Sequence, residues 1–232
     1  HQGMITKDGS KMSKSKGNTV SPDKFVDSYG SDTFRCYLMF MGPFDEGGDW
    51  NDKGITGIDR FLKRSYRLIS NESLNVTHDN EDDYMLHNTI KLMTDNLNVM
   101  KFNTSISKLM EFVNYFYEKG LSLEYKKVYV KLLSPLAPHL SEELWSLLGN
   151  EKSVFNNTWP KYDESKTKKD DVKIAVQVNG KVRCSIIIGL NDEKESVLRV
   201  AKSNTNVQNY LNNKKIIKEI YIPGKIINFV VN

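Results

Sequence analysis

Between residues 85 and 134 the apolar side chains recur every three or four positions. Leu86, Ile90, Met93, Leu97 and Met100 form one series within 85–101, and Ile106, Leu109, Met110, Val113 and Phe116 form another within 104–119, closed by Gly120. That spacing gathers the side chains on one face of a helix, so two amphipathic helices are predicted. A third covers 123–134 and runs into Pro135-Leu136-Ala137-Pro138, and Ser141-Glu142-Glu143-Leu144-Trp145 opens a further short one. Upstream, Ile58, Phe61, Leu62 and Ile69 share the apolar face of a helix predicted over 56–70. Helices that each carry one apolar stripe bury it against one another, which predicts a helical bundle.

The pattern differs at both ends of the chain. Met4-Ile5-Thr6 reads as the end of a strand, and Lys7-Asp8-Gly9 as a tight turn. Ser21-Pro22-Asp23 has the N-cap, N1 and first-turn acid of a helix start, and Gly30 stops that helix. A second starts at Ser31-Asp32, places Phe34, Leu38 and Met41 on one side and ends at Gly42-Pro43. Residues 44–54, with Trp50, are expected to be a polar loop, and the Asn/Asp/Glu-rich stretch 71–83 a surface loop. After Trp159-Pro160 the stretch 161–171 is charged and nearly devoid of apolar side chains, as in a linker. Val172, Ile174, Val176 and Val178 then alternate with polar residues, and Asn179-Gly180 signals a type I′ hairpin into a strand over 181–188. Two short helices within 192–212, a strand over 216–222, the turn Pro223-Gly224-Lys225 and a strand over 226–231 complete a ββααββ unit. At roughly 60 residues it is large enough to fold as its own domain.

Composition narrows the function classes. Hydrophobic residues at 39% and charged residues at 27% describe a chain that can bury a core. No run of about 18 apolar residues predicts a membrane span, and no secretory signal pattern opens the chain. Cys36 and Cys184 lie far apart, and His1, His78, His87 and His139 are scattered, so neither a zinc site nor a disulfide framework is predicted and a reducing cytoplasm fits best. The net charge of +4 permits an anionic partner without demanding one.

The run Lys11-Met12-Ser13-Lys14-Ser15 carries the most specific chemistry. Two lysines three residues apart offer mobile charges to phosphate oxygens, the serines and main-chain N–H groups can fill remaining acceptor sites, and Gly17 lets backbone approach closely. Such a loop could meet charge that builds on a leaving pyrophosphate. A merely solvated basic loop has the same composition, and the residues alone leave both readings open.

Lys11-Met12-Ser13-Lys14-Ser15 is identical to the signature loop of class I aminoacyl-tRNA synthetases, and Lys16-Gly17-Asn18, Asp32-Thr33 and Arg35 continue the pattern of the leucine, isoleucine and valine group. Met39-Phe40-Met41-Gly42-Pro43, Phe102-Asn103-Thr104-Ser105-Ile106-Ser107, Leu136-Ala137-Pro138-His139-Leu140, Val176-Gln177-Val178-Asn179-Gly180-Lys181-Val182-Arg183 and Pro223-Gly224-Lys225 resemble the bacterial-type leucyl branch. There is no terminal cysteine module of the isoleucyl kind and no long helical arm of the valyl kind. The resemblance implies a mainly α fold: the end of a Rossmann-type catalytic domain over 1–54, an anticodon-binding-type helical bundle over 55–160, a linker over 161–171 and an α+β tRNA-binding domain over 172–232.

It also implies that Lys14, assisted by Lys11 and the loop Met12, Ser13 and Ser15, contacts the phosphates of ATP, with Mg2+ serving in the full enzyme. The chain is expected to be a C-terminal portion that is inactive alone and binds no cofactor tightly. The family's first signature segment, the leucine pocket and the editing domain are expected upstream. The implied partners are tRNA-Leu and the rest of the synthetase, in a cytoplasmic monomer. Isoleucyl or valyl kinship, or a non-catalytic tRNA-binding paralogue, are the alternatives. His139 reads as a helix-start or core residue. Arg60, Lys63, Arg64 and Arg67 line one helix face, and Lys181, Arg183 and Lys225 lie near the hairpin and the last turn, with Lys214, Lys215 and Lys218 nearby. These are candidate contacts for a nucleic-acid backbone, although solvated helix faces and edge strands also carry such residues. Met93, Met100, Tyr115 and Tyr117 read as core.

Overall fold

The computed structural model describes residues 1–71, 76–168, 171–189, 192–212 and 214–232. Parts of the expected surface loop (72–75) and of the expected linker (169–170) lie outside the described residues. The chain divides into two units, His1–Thr167 and Lys168–Asn232.

The first unit opens on a β-hairpin, β1 (Met4–Lys7) and β2 (Ser10–Lys11). Asp8 and Gly9 both have positive φ (54° and 70°), the left-handed pair that a tight hairpin turn needs. Helices α1 (Pro22–Tyr29) and α2 (Ser31–Phe40) follow, and Gly30 at φ 86° breaks the chain between them. Residues 44–54 are not simply a loop: Gly47–Trp50 is a strand, β3, paired in parallel with β1. The pairing is tertiary, and Gly47 permits it because a Cβ there would sit 2.2 Å from the Met4 carbonyl oxygen. Trp50 is buried, edge-on to Phe25 and Tyr37. The buried face of α2 also differs from expectation. Asp32, Thr33, Cys36 and Tyr37 are buried, whereas Leu38 is exposed, because the polar members of the face find partners elsewhere in the fold.

The bundle consists of α3 (Ile55–Ser70), α4 (Asn80–Asn98), α5 (Phe102–Phe116), α6 (Leu123–Leu133) and α7 (Pro138–Leu147). Helix α4 begins earlier than its apolar stripe suggests, so residues 80–83 are helical. Asp79 accepts the Glu81 and Asp82 N–H groups, and the Asp82 side chain returns to the Asp79 N–H as a capping box. Ile106, Leu109, Phe112, Val113 and Phe116 of α5 are buried against Ile58 and Ile69 of α3, Ile90 and Met93 of α4, and Tyr129 of α6. Each such large apolar side chain contributes about 1.5–3 kcal/mol on burial. The Tyr129 hydroxyl is satisfied by Ser65 Oγ at 2.7 Å. Met100, expected in the core, is instead half exposed just past the end of α4. Residues 159–167 lie along α4: Trp159 Nε1 donates to Thr94 Oγ1 at 2.8 Å, and Lys166 pairs with Asp83 at 2.6 Å.

In the second unit, β4 (Asp171–Val178) and β5 (Lys181–Gly189) form the expected hairpin, with Asn179 and Gly180 at φ 51° and 77°. Helices α8 (Lys194–Ser203) and α9 (Thr205–Leu211) lead to β6 (Ile216–Ile222) and β7 (Ile226–Val231). The sheet order is β5-β4-β7-β6, with β4 and β7 parallel. Ile174, Val176, Val178, Ile227 and Phe229 alternate onto the face covered by Val197, Leu198 and Ala201 of α8 and Val207 of α9. No helix among the described residues is long and apolar enough to cross a membrane.

Candidate functional site

The lysine-serine loop is mounted on the β1–β2 hairpin. Asp49, in β3, accepts Thr6 Oγ1 at 2.5 Å and the Gly9 N–H at 3.0 Å, which fixes the hairpin turn to the neighbouring strand. Those two donors hold the Asp49 carboxyl below the usual carboxylate range. Lys11 ends β2, and Lys14–Lys16 form a single 3₁₀ turn. Lys16 N–H donates to Ser13 O at 3.1 Å and Gly17 N–H to Lys14 O at 3.2 Å, after which Gly17 at φ 65° reverses the chain. Met12 and Val20 are half-buried feet packed on the hydrophobic core. The Ser13 and Ser15 hydroxyls lie 2.6 Å apart. Lys11, Lys14 and Ser15 are exposed, so both expected phosphate-binding cations face solvent on a loop of defined shape.

The segment carrying this loop is keyed to the bundle through α2. Asp32 reaches the N-terminus of α7, Arg35 Nη2 donates to Pro135 O at 3.2 Å, and Cys36 Sγ contacts Leu136 O at 3.4 Å. His139 is a helix-start residue, as expected, but its side chain is exposed rather than in the core. Burial and the Asp32 carboxylate push the Cys36 thiol up to about 12, which makes it an inert packing residue.

The basic stripe of α3 is split by its contacts. Arg60 and Arg67 are exposed. Lys63, also exposed, pairs with Asp59 at 2.8 Å. Arg64 is drawn into the bundle: its Nη1 donates to Asn114 at 2.6 Å, and its guanidinium lies 4.2 Å from the centroid of the Tyr117 ring.

In the second unit, Lys181 stands opposite Val178 at the hairpin end of the sheet, and Lys225, exposed, lies in the β6–β7 turn next to Ile226, opposite Ala175. Arg183 occupies the bulge in β5 with its guanidinium 3.7 Å from the Tyr210 ring centroid, while its Nε is buried without a hydrogen-bond partner. Lys214, Lys215 and Lys218 are exposed. The sheet therefore does not gather Lys181, Arg183 and Lys225 into one cluster. The roles of Asp49, Tyr117 and Tyr210 had no signal in the sequence, because each depends on a partner remote along the chain.

Two family models match the chain: the class I tRNA synthetases of the I, L, M and V group over residues 1–49, and the anticodon-binding domain of tRNA ligase over residues 83–198, half of the chain. The chain is 43% identical over its whole length to the leucine–tRNA ligase of Clostridium perfringens and 42% identical to that of Clostridium tetani. It spans 31% of the length of each. A crystal structure of the ternary complex of Agrobacterium radiobacter agnB2 LeuRS with tRNA and LeuAMS matches all of this chain and 33% of its own, with a TM-score of 0.73 and 29% identity.

Proposed function

The chain belongs to the leucine–tRNA ligase family of class I synthetases, and on that footing we propose that it is the C-terminal part of an enzyme that activates leucine with ATP and transfers it to tRNA-Leu. In the first step a leucine carboxylate oxygen forms a bond to the α-phosphorus while the bond to the bridging oxygen of pyrophosphate breaks. Lys14, with Lys11 beside it, meets the charge that accumulates on the departing pyrophosphate, and Met12, Ser13 and Ser15 shape the loop that presents it. The leucine pocket and editing function belong to the rest of the synthetase, so the chain alone makes no adenylate. In the full enzyme Mg2+ would accompany the ATP phosphates and neutralise part of their charge, while Lys14 and Lys11 would meet the pyrophosphate oxygens.

In the same reading, 1–54 closes the catalytic domain, 55–160 is the anticodon-binding-type bundle and 172–232 a tRNA-binding domain; of the expected linker 161–171, residues 161–167 are bound along α4 instead. Arg60, Lys63 and Arg67 and, separately, Lys181, Arg183 and Lys225 are the tRNA-backbone contacts, whereas Arg64, expected among them, is engaged by Asn114 and Tyr117. The enzyme is read as a cytoplasmic monomer.

The observation that carries this reading is the Lys11–Ser15 run, with Lys11, Lys14 and Ser15 solvent-exposed, in a chain related over its whole length to leucine–tRNA ligases. Leucine-dependent ATP–pyrophosphate exchange by the full-length enzyme tests it. Lys14→Ala is expected to lower the exchange rate by about 100-fold or more, the scale of losing one transition-state contact, with leucine KM little changed. Exchange supported by isoleucine or valine instead of leucine would overturn the substrate assignment, and an undiminished Lys14→Ala rate the role of the loop.

A further inference from the structure

The side-chain amide of Asn18 joins the two ends of the lysine loop. Its Oδ1 accepts the Ser13 main-chain N–H at 2.8 Å, and its Nδ2 donates to the Lys11 carbonyl at 3.2 Å. The loop's own main-chain bonds, from Lys16 to Ser13 and from Gly17 to Lys14, close only the turn at its tip. They do not tie that turn to the strand end carrying Lys11. Asn18 does, because Gly17 turns the chain back so that the next side chain faces the loop it has just left. The task needs one donor and one acceptor on a single short planar group; a carboxylate offers only acceptors, and alanine offers neither.

We infer that Asn18 is a positioning residue for the adenylation step, resting on the reading of Lys11–Ser15 as the phosphate loop. It holds the turn that carries Lys14 at a set distance from the end of β2 before ATP arrives, so the Lys14 ammonium meets the developing pyrophosphate charge without first reorganising the loop. Asn18 touches no substrate and acts through Lys14.

The test compares wild type, Asn18→Ala, Asn18→Asp, Lys14→Ala and the Lys14→Ala/Asn18→Ala double variant of the full-length enzyme in ATP–pyrophosphate exchange. Asn18→Ala is expected to lower kcat by about 10- to 100-fold, the scale of a misplaced catalytic group, with leucine KM and melting midpoint unchanged. Asn18→Asp, which keeps the acceptor for Ser13 but sets a carboxylate oxygen against the Lys11 carbonyl, should be at least as slow as Asn18→Ala. Because Asn18 acts through Lys14, the double variant should be no slower than Lys14→Ala to within about threefold. Wild-type rates in Asn18→Ala, or losses that multiply in the double variant, would overturn the inference while leaving the phosphate loop standing. An undiminished Lys14→Ala rate would remove both.

Discussion

The carboxylate of Asp32, in the first turn of α2, accepts the Leu140 main-chain N–H at 2.7 Å across 108 residues of sequence. Its other oxygen lies 2.9 Å from His139 Nδ1. Helix α7 has Ala137 at its N-cap position and no capping side chain of its own, so Asp32 supplies the cap from another element. One side chain thereby stabilises α7 and ties the loop-bearing segment to the bundle. Asp32→Ala is expected to destabilise the fold by about 1–2 kcal/mol, the usual worth of a lost cap, and Asp32→Asn by less. Urea unfolding followed by circular dichroism measures this; an unmoved midpoint in Asp32→Ala would show the cap to be idle.

His87 couples the 159–167 segment to pH. Its Nδ1 accepts the Asp163 N–H at 3.1 Å, an arrangement that requires this nitrogen to be unprotonated. Burial first, and then the Lys166 ammonium, hold its pKa below the ordinary 6.5, while Asp83, Asp163 and Glu124 pull the other way. The folded chain therefore takes up this proton less readily than the unfolded one. The stabilisation is fully present above about pH 6.5 and declines as pH falls through that value toward the lower folded pKa. Asp82 titrates elsewhere: burial raises its pKa, but donation from Lys119, Tyr115, the Asp79 N–H and His78 outweighs that and holds it below 3.8. The melting midpoint should drop between about pH 7 and pH 5, and drop less in His87→Asn, which keeps a neutral acceptor. Identical pH slopes in the two proteins would remove His87 from the account.

Met100 sits at φ 56° just beyond α4, in the left-handed region, while Lys101 N–H closes the helix end on Asn96 O at 2.8 Å. Glycine is the usual occupant of such a position. Relief of roughly 1–2 kcal/mol of left-handed strain is partly offset by the extra freedom glycine gives the unfolded chain. Met100→Gly should therefore raise unfolding stability by about 0.5–1 kcal/mol. Because the side chain is half exposed, little packing is lost. A lowered urea midpoint would contradict this.

How far the sequence reached follows from which partners were local. The helices of the bundle were legible because Leu86, Ile90 and Met93, or Ile106, Leu109 and Val113, state their face through spacing alone. The tight turn at Asp8-Gly9 and the hairpin at Asn179-Gly180 were legible because the turn chemistry lies within the dipeptide. Strand β3 was not, since Gly47 and Gly48 have no strand propensity and extend only through pairing with β1. Nor was the buried face of α2: Asp32, Cys36 and Tyr37 are buried through Leu140, Leu136 and Asn51, none of them local. The start of α4 could have been read from Asp79 and Asp82, but the run of acids around them resembles a solvated loop. At the candidate site, the lysines were visible as a motif. The bridge made by Asn18 was not, because it appears only once Gly17 has reversed the chain.

The α3 stripe gives the last prediction, because its four basic residues do not have the same work. Arg64 is held by Asn114 and stacked on Tyr117, so its charge is committed to joining α3 to α5 and the residue that follows it. Arg60 and Arg67 are exposed, as a phosphate contact must be. Arg64→Ala should therefore cost about 1 kcal/mol of stability, from the lost stacking and hydrogen bond. Arg60→Ala and Arg67→Ala should stay within about 0.5 kcal/mol of wild type, as exposed substitutions do. Binding to tRNA-Leu should show the converse. If Arg60 and Arg67 each neutralise a phosphate, each alanine variant should bind more weakly and reduce the log–log salt slope by about 0.7 to 0.9. Arg64→Ala should leave that slope as it was wherever the protein remains folded. A slope unchanged by Arg60→Ala and Arg67→Ala would return this face of α3 to an ordinary solvated surface.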